Sequence, residues 1–239
     1  VVDALIPNEK SYVHDELHMP GGNGINAGII AHRLKSRVIH TGFIGGSNGK
    51  DIKRLLNQEK TRHYFVAIEG QTRMNLTISK KNKPDQTRLS FPGPFIRPLE
   101  RKQLEIFLER AGTKDIVILG GSLPLGVDAA YVRKLIVKLR KKSVSCLVDM
   151  PGELLKTIIQ AKPLFIKPNL TEFQLLVGKK VKTIKGILPV AKKILHYVPV
   201  ICISSIEGGA LLLNKKEVWY GKLPPVKIRS TVGAGDSMV

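Results

Sequence analysis

From about residue 111 onward, short apolar runs alternate with longer amphipathic stretches. DIVILGG (115–121) is an apolar run closed by glycines, GVDAAYVRKLIVKLRKK carries apolar residues at helical spacing, and VSCLVDM and PGELLKTIIQA repeat the pair. PLFIKPN, LTEFQLLVG, the helical stretch IKGILPVAKKILHYV and the run VICISS continue the pattern. Short apolar runs separated by helices of about ten residues or more predict a parallel sheet covered on both faces. In such a sheet, ligand-binding groups gather beyond the carboxyl ends of the strands. Gly120 to Ser122, Asp149, Lys167 to Asn169 and Ser204 all fall at those ends.

The first third follows a different pattern. HTGFIGG reads as a further core strand, fed by a helix over 24–35 that begins in GGNGIN. Between residues 62 and 91, RHYFVAIEG, TRMNLTISK and TRLSF read as short strands joined by polar turns with no helix between them. They predict a small antiparallel flap, and ALI and SYVHDELHM near the start are candidates to join it. An antiparallel sheet with one apolar face needs something to cover, either a substrate or a partner subunit. The expected organisation is one domain over 1–239, with 1–20 and 62–92 in the flap and 21–61 and 93–239 in an α/β core.

Composition narrows the class. A chain of 239 residues, 43% of them hydrophobic, can bury one sizeable core. No run approaches the roughly 18 apolar residues of a membrane span, and the opening VVDALIPNEK is charged where a signal peptide is apolar. Cys146 and Cys202 each sit in an apolar run, which favours buried thiols over a disulfide or a metal site. These features fit a cytoplasmic enzyme with no membrane partner. The excess of 39 Lys and Arg over 19 Asp and Glu gives a net charge of +20, which would attract any polyanion. The cations are scattered in short groups such as KKNK and VAKKILH, without zinc-finger spacing or an aromatic RNA-binding strand. They read as a solvated surface with no specific nucleic-acid partner, and a basic nucleic-acid-binding protein stands as the competing class.

Three segments carry candidate chemistry. In STVGAGDSMV, Gly233, Ala234 and Gly235 permit a tight turn, and DSMV starts a helix whose amino end would favour phosphate or developing negative charge. Asp236 is then either a proton acceptor or a helix cap. In PGGNGIN, Gly21 and Gly22 would let a ligand approach the backbone, and Asn26 offers a donor and an acceptor to a polyol; a plain strand-to-helix turn reads equally well. In KPNLTE, Lys167 can reach a phosphate, while Asn169 and Glu172 suit a hydrated Mg²⁺ or, alternatively, a helix capping box. Neither a dinucleotide fingerprint nor a Walker A loop is present, since Lys50 of GGSNGK is followed by Asp51.

Together these motifs resemble the ribokinase-like sugar kinases, in particular their phosphofructokinase B group. STVGAGDSMV is similar to that family's second signature, GFIGG to its first, GGNGIN to its sugar-binding glycine pair and asparagine, GGSLPLG to its SGSLPPG turn and KPNLTEF to its KPNxxEL segment. The resemblance runs along the whole chain. It implies a three-layer α/β/α core with a mostly parallel sheet and a small antiparallel β flap. It also implies Asp236 as catalytic base, Gly233 to Gly235 as anion hole, and Arg73 of TRMNL on the sugar phosphate with Lys10 and Ser122 nearby. Ser204, Glu207 and Gly209 of SSIEGG correspond to the nucleotide loop, alongside Lys167 and Asn169. The implied reaction is Mg²⁺-dependent phosphoryl transfer from ATP to a phosphorylated ketohexose. Fructose 6-phosphate is the expected substrate, with fructose 1-phosphate and tagatose 6-phosphate as alternatives, and a homodimer through the flap is the expected assembly.

The sequence also departs from the family pattern. Ile206 stands where the nucleotide loop has its first glycine, so a positive φ there would be strained. The family's opening strand with its NPxxD segment and its continuation past the GAGD helix have no counterpart in the sequence. The 239 residues are therefore expected to be an excerpt of a longer enzyme, incomplete at both ends and impaired alone.

Overall fold

A computed structural model describes residues 1–81, 86–222, 224 and 233–239. Helix α1 (Asn23–Arg33), strand β1 (Ile39–Ile44), helix α2 (Gly46–Gln58) and strand β2 (Arg62–Ala67) come first, followed by the hairpin β3 (Asn75–Ser79) and β4 (Gln86–Ser90). Helix α3 (Pro98–Leu108) leads into the alternating half: β5 (Ile116–Gly120), α4 (Ala129–Lys141), β6 (Ser145–Asp149), α5 (Gly152–Ile158), β7 (Phe165–Ile166), α6 (Leu170–Val177), α7 (Ile184–Ile194) and β8 (Val200–Ile206). Strands β9 (Gly209–Leu213) and β10 (Val218–Lys222) follow, and a 3₁₀ turn, Asp236–Met238, comes last.

The main sheet has the order β10-β9-β8-β7-β6-β5. Strands β5 to β8 pair in parallel and β9 and β10 antiparallel, so the architecture is the expected three-layer α/β/α fold with a mixed, largely parallel sheet and a small antiparallel strand pair. Burial explains the apolar runs. Cys146, Val148, Ile166, Ile201 and Ile203 are sealed from solvent in the sheet, and Ile136, Leu139, Leu155 and Phe173 seal it from the helices. Helix starts are set locally. Asp128 caps α4 by accepting the Tyr131 N–H at 2.7 Å, and Asn169 and Glu172 form a reciprocal capping box on α6. Both cysteines are buried and free, and burial pushes the Cys146 thiol up to about 11. Among the described residues, no helix is long and apolar enough to cross a membrane.

One part of the flap reading is corrected. The strand at 62–67 pairs in parallel with β1, Ile39 opposite Arg62 through Ile44 opposite Ala67, and so belongs with the core helices rather than with an antiparallel flap. Its apolar residues face α3, where Tyr64 stacks on Phe107 with ring centroids 4.1 Å apart. The antiparallel element is the hairpin of β3 and β4, with Leu76 opposite Leu89. Val2 bridges to Val13 and Lys80, which ties the amino-terminal segment to the end of that hairpin. Residues 82 and 83 of the KKNK group lie outside the described residues.

Helix α1 is seated on β1 by an unusual contact. A Cβ on Gly28 would lie 2.5 Å from Cε1 of His40, so only glycine lets the imidazole occupy this interface. His40 is buried, its Nε2 has no hydrogen-bond partner among the described residues, and burial, reinforced by His63 and His32, lowers its pKa from 6.5 to about 4. A lowered histidine pKa means the unfolded chain binds the proton more readily between those values, so this stability is present above pH 6.5 and lost as pH falls toward 4. Urea titrations from pH 7 to pH 4 should show a loss of about 2 kcal/mol from this group after allowance for solvent screening. That share of the pH slope should vanish in His40→Leu; an unchanged slope would locate the acid sensitivity elsewhere.

Candidate active site at the carboxyl edge of the sheet

The pairing register builds the floor of the site. Gly120 is opposite Asp149 and Val148 is opposite Ile166, so the ends of β5 and β6 and the residue following β7, Lys167, form one row. The chain continues that row by backbone bonds, with Gly121 N–H donating to the Asp149 carbonyl at 2.8 Å and Lys167 N–H to the Val148 carbonyl at 3.0 Å. Ser204 N–H donates to the Pro168 carbonyl at 3.1 Å, and Ser204 bridges to Asn169, which brings in the end of β8.

Within this row the Lys167 ammonium and the Asp149 carboxylate form an ion pair at 3.1 Å, each side chain only 5% exposed. Desolvating two charges is costly, and the pair is tolerable because further hydrogen bonds satisfy it. Asn23, at the start of α1, donates to the other Asp149 oxygen at 3.1 Å. The helix approaches that closely because Gly120 has no side chain: a Cβ there would sit 2.9 Å from the Gly24 nitrogen. The sequence places Asp149 only at a strand end and does not single out Asn23. The aspartate closing VSCLVDM was the available signal, whereas nothing local to GGNGIN distinguishes Asn23 from Asn26.

Three segments meet above this floor. Asn26 donates from Nδ2 to Oδ2 of Asp236 at 2.7 Å, across 210 residues of sequence. The turn Gly233–Gly235 has φ +77° at Gly233, and a Cβ on Gly235 would lie 3.6 Å from the Lys167 ammonium. Ser237 closes the turn, donating both its N–H (3.0 Å) and its hydroxyl (2.8 Å) to the Gly233 carbonyl. Among the described residues, the N–H groups of Ala234, Gly235 and Asp236 donate to no backbone carbonyl. The helix expected from Asp236 onward is a single 3₁₀ turn, and Ser230 to Val232 of the signature lie outside the described residues.

The remaining candidates divide into two sets. Arg73 reaches from the base of the hairpin to the GGSLP turn, donating from Nη2 to Oγ of Ser122 at 2.7 Å. Asn169 Oδ1 accepts the Glu172 N–H at 2.9 Å while Glu172 Oε2 accepts the Asn169 N–H at 2.8 Å, so the capping-box reading of this pair holds in the fold. Burial holds the Glu172 carboxyl above its usual range, opposed by the Asn169 N–H and by Lys167 and reinforced by Asp149 and Asp236. Gly22, with φ +118°, is the residue preceding α1, and Gly21 beside it is exposed with open space around it. Lys10 is exposed and joins none of these contacts among the described residues. Glu207 lies in the two-residue turn between β8 and β9, where its Oε1 accepts the Ile184 N–H at 3.4 Å, and Gly209 is the first residue of β9, paired with Ile206. The expected strain at Ile206 does not arise. The positive φ values fall on its neighbours, Ser205 at 62° and Glu207 at 47°, while Ile206 itself is fully buried beside a bulge.

The profile of the pfkB family of carbohydrate kinases matches residues 1–239. The chain is 32% identical to the ATP-dependent 6-phosphofructokinase isozyme 2 of Escherichia coli K12, covering 100% of this chain and 78% of that protein. It is 30% identical to the 1-phosphofructokinase of Bacillus subtilis 168, covering 97% of this chain and 75% of that one. The crystal structure of phosphofructokinase-2 from Escherichia coli in complex with substrates and products superposes with a TM-score of 0.94 at 29% identity, over 99% of this chain and 78% of that chain.

Proposed function

We propose, from the premise that this chain belongs to the pfkB family of carbohydrate kinases, that it transfers the γ-phosphoryl group of ATP to a hydroxyl of a phosphorylated ketohexose, with fructose 6-phosphate as acceptor and fructose 1,6-bisphosphate as product. The observation that carries the reading is the convergence of Asn26, Lys167 and Asp236, three residues far apart in sequence, at one edge of the sheet.

A sugar hydroxyl is too weak an acid to attack phosphorus unaided. Asp236, aimed by Asn26, takes its proton as the oxygen attacks the γ-phosphorus. The N–H groups of Ala234, Gly235 and Asp236, which donate to no backbone carbonyl among the described residues, and the Lys167 ammonium meet the charge that builds on the transferred group. Asp149 and Asn23 hold Lys167 at that position. Gly21 and Gly22 leave the backbone open to the sugar, and Arg73 with Ser122 binds the phosphate it already carries, a task that suits a guanidinium better than a neutral sugar would. Ser204, Glu207 and Gly209 line the nucleotide side. Mg²⁺ fits the donor set, because Glu172 keeps a second carboxylate oxygen and Asn169 a second lone pair, and this cation takes few protein ligands with water and substrate phosphates. Held there through water, it would offset the charge of the phosphates.

The hairpin is proposed to pair two copies of the chain. Met74, Leu76, Leu89 and Phe91 are 57%, 44%, 45% and 49% exposed; the register sets Leu76 opposite Leu89, and Met74 and Phe91 adjoin the same end of the hairpin. A two-stranded hairpin cannot hide such apolar surface by itself.

A turnover assay with ATP and Mg²⁺ over fructose 6-phosphate, fructose 1-phosphate, tagatose 6-phosphate, ribose and adenosine tests the reaction. Fructose 1-phosphate as the preferred substrate would favour the second reading, which the similarity to the Bacillus subtilis enzyme supports. No turnover on any sugar together with tight, salt-dependent nucleic-acid binding would replace the kinase reading. Asp236→Asn should lower kcat by about 10²-fold or more with substrate binding nearly intact, and an unchanged kcat would return Asp236 to a capping role. Arg73→Ala should raise KM for the sugar phosphate roughly thirtyfold, the equivalent of about 2 kcal/mol, and leave ATP untouched. Sedimentation at micromolar concentration should give a dimer that Leu76→Lys with Leu89→Lys dissociates; a wild-type monomer would sink the pairing.

A further inference from the structure

At the opposite edge of the sheet lies a cleft of about 680 Å³ that the kinase reading does not use. It opens where Ser145 starts β6, Leu164 precedes β7 and Val200 starts β8. Asp149, in the candidate active site, ends the same strand that Ser145 begins, so the two sites are separated by about 13 Å along β6 at roughly 3.3 Å per residue.

The cleft has a one-sided charge. Arg140, Lys162, His196, Lys215 and Lys216 line it, and no carboxylate does among the described residues. None of the five takes part in an ion pair among the described residues. Several are held by the fold. Arg140 donates from Nη1 to the Ala161 carbonyl at 2.8 Å, and Lys162 is fixed in the left-handed region at φ 54°. The turn that presents Lys215 and Lys216 is tied by Asn214 Oδ1, which accepts the Lys216 and Glu217 N–H groups at 2.7 and 2.9 Å. The apolar part of the lining, its floor, consists of Val144, Leu164 and Val200, and Tyr197, 39% exposed, also lines the cleft.

We propose that this cleft is a second ligand site, for a nucleoside phosphate. Uncompensated cations around a concave wall attract phosphate, and the apolar floor with a tyrosine ring suits a planar base. The volume falls in the range of about 300–1,000 Å³ typical of small-molecule sites. Inorganic phosphate alone would leave the floor wet. A nucleic-acid chain would need a groove that tracks the backbone beyond one nucleotide. The inference stands independently of the kinase assignment.

The test is a titration of ADP into ¹⁵N-labelled protein, with Lys162→Asn and Lys216→Gln combined as the variant; Asn tolerates the left-handed backbone at 162. Amides of Val144 to Cys146, Leu164, Tyr197, Val200 and Lys215 should shift in the wild type. The double variant should weaken that response by at least about tenfold for the lost charge-assisted contacts, with responses at Gly233 to Asp236 and kinase turnover retained. Pyrophosphate should perturb the same amides about tenfold more weakly than ADP, because it leaves the apolar floor uncovered. Absence of shifts at these amides up to millimolar ADP, shifts that survive the double replacement, equal affinity for pyrophosphate, or a response to oligonucleotides alone would each overturn the proposal.

Discussion

The buried ion pair of Lys167 and Asp149 is the contact on which the rest of the site is arranged. Two opposite charges at 3.1 Å, nearly sealed from water, are stable only while both are present and otherwise hydrogen-bonded. Asn23 supplies the second bond to the carboxylate and so draws the amino end of α1 over the strand ends. The same ammonium faces the glycine turn before Asp236. One polar contact thereby ties two strand ends, a helix start and a turn from the far end of the sequence.

Around it, glycine acts by absence at a few positions. Gly120 lets α1 come down onto the end of β5, and Gly28 lets the same helix rest on His40. Gly152 plays the corresponding part between helices, since a Cβ there would meet the Glu172 carbonyl at 2.1 Å. The contact brings α5 against the first turn of α6, where Asn169 and Glu172 cap each other. The short local motifs of the sequence are thus spacing devices as much as chemical ones.

Charge is distributed in a way the net value of +20 conceals. At the carboxyl edge, the buried lysine is paired and the carboxylates of Asp149 and Asp236 lie close enough to act on Glu172. At the amino edge, four cations, Arg140, Lys162, Lys215 and Lys216, line a cleft with no carboxylate in its described lining. A surface of scattered lysines accounts for part of the excess, and the fold gathers another part into one concavity.

Much of the architecture was legible because its cause is local. The alternation of buried strands and amphipathic helices follows from which side chains must leave water, and the cap on α6 follows from the Asn169–Glu172 spacing. The positions of Gly120, Asp149, Lys167 and Ser204 at strand ends could be read from the same pattern, as could Arg73, Asn26 and Asp236 from their motifs. Pairing between distant segments was not legible. The strand at 62–67 has the composition of a flap strand, and only its parallel register with β1 assigns it to the core. Ile206 looked strained by analogy with a glycine, yet a bulge moves the positive φ to Ser205 and Glu207. Asn23 and Asn26 are three apart on one turn of helix, and the sequence alone does not say that one meets Asp149 and the other Asp236. Local sequence determines which groups are available and which faces are apolar; tertiary packing decides which of them meet, because those distances depend on the register and close approach of elements far apart in the chain.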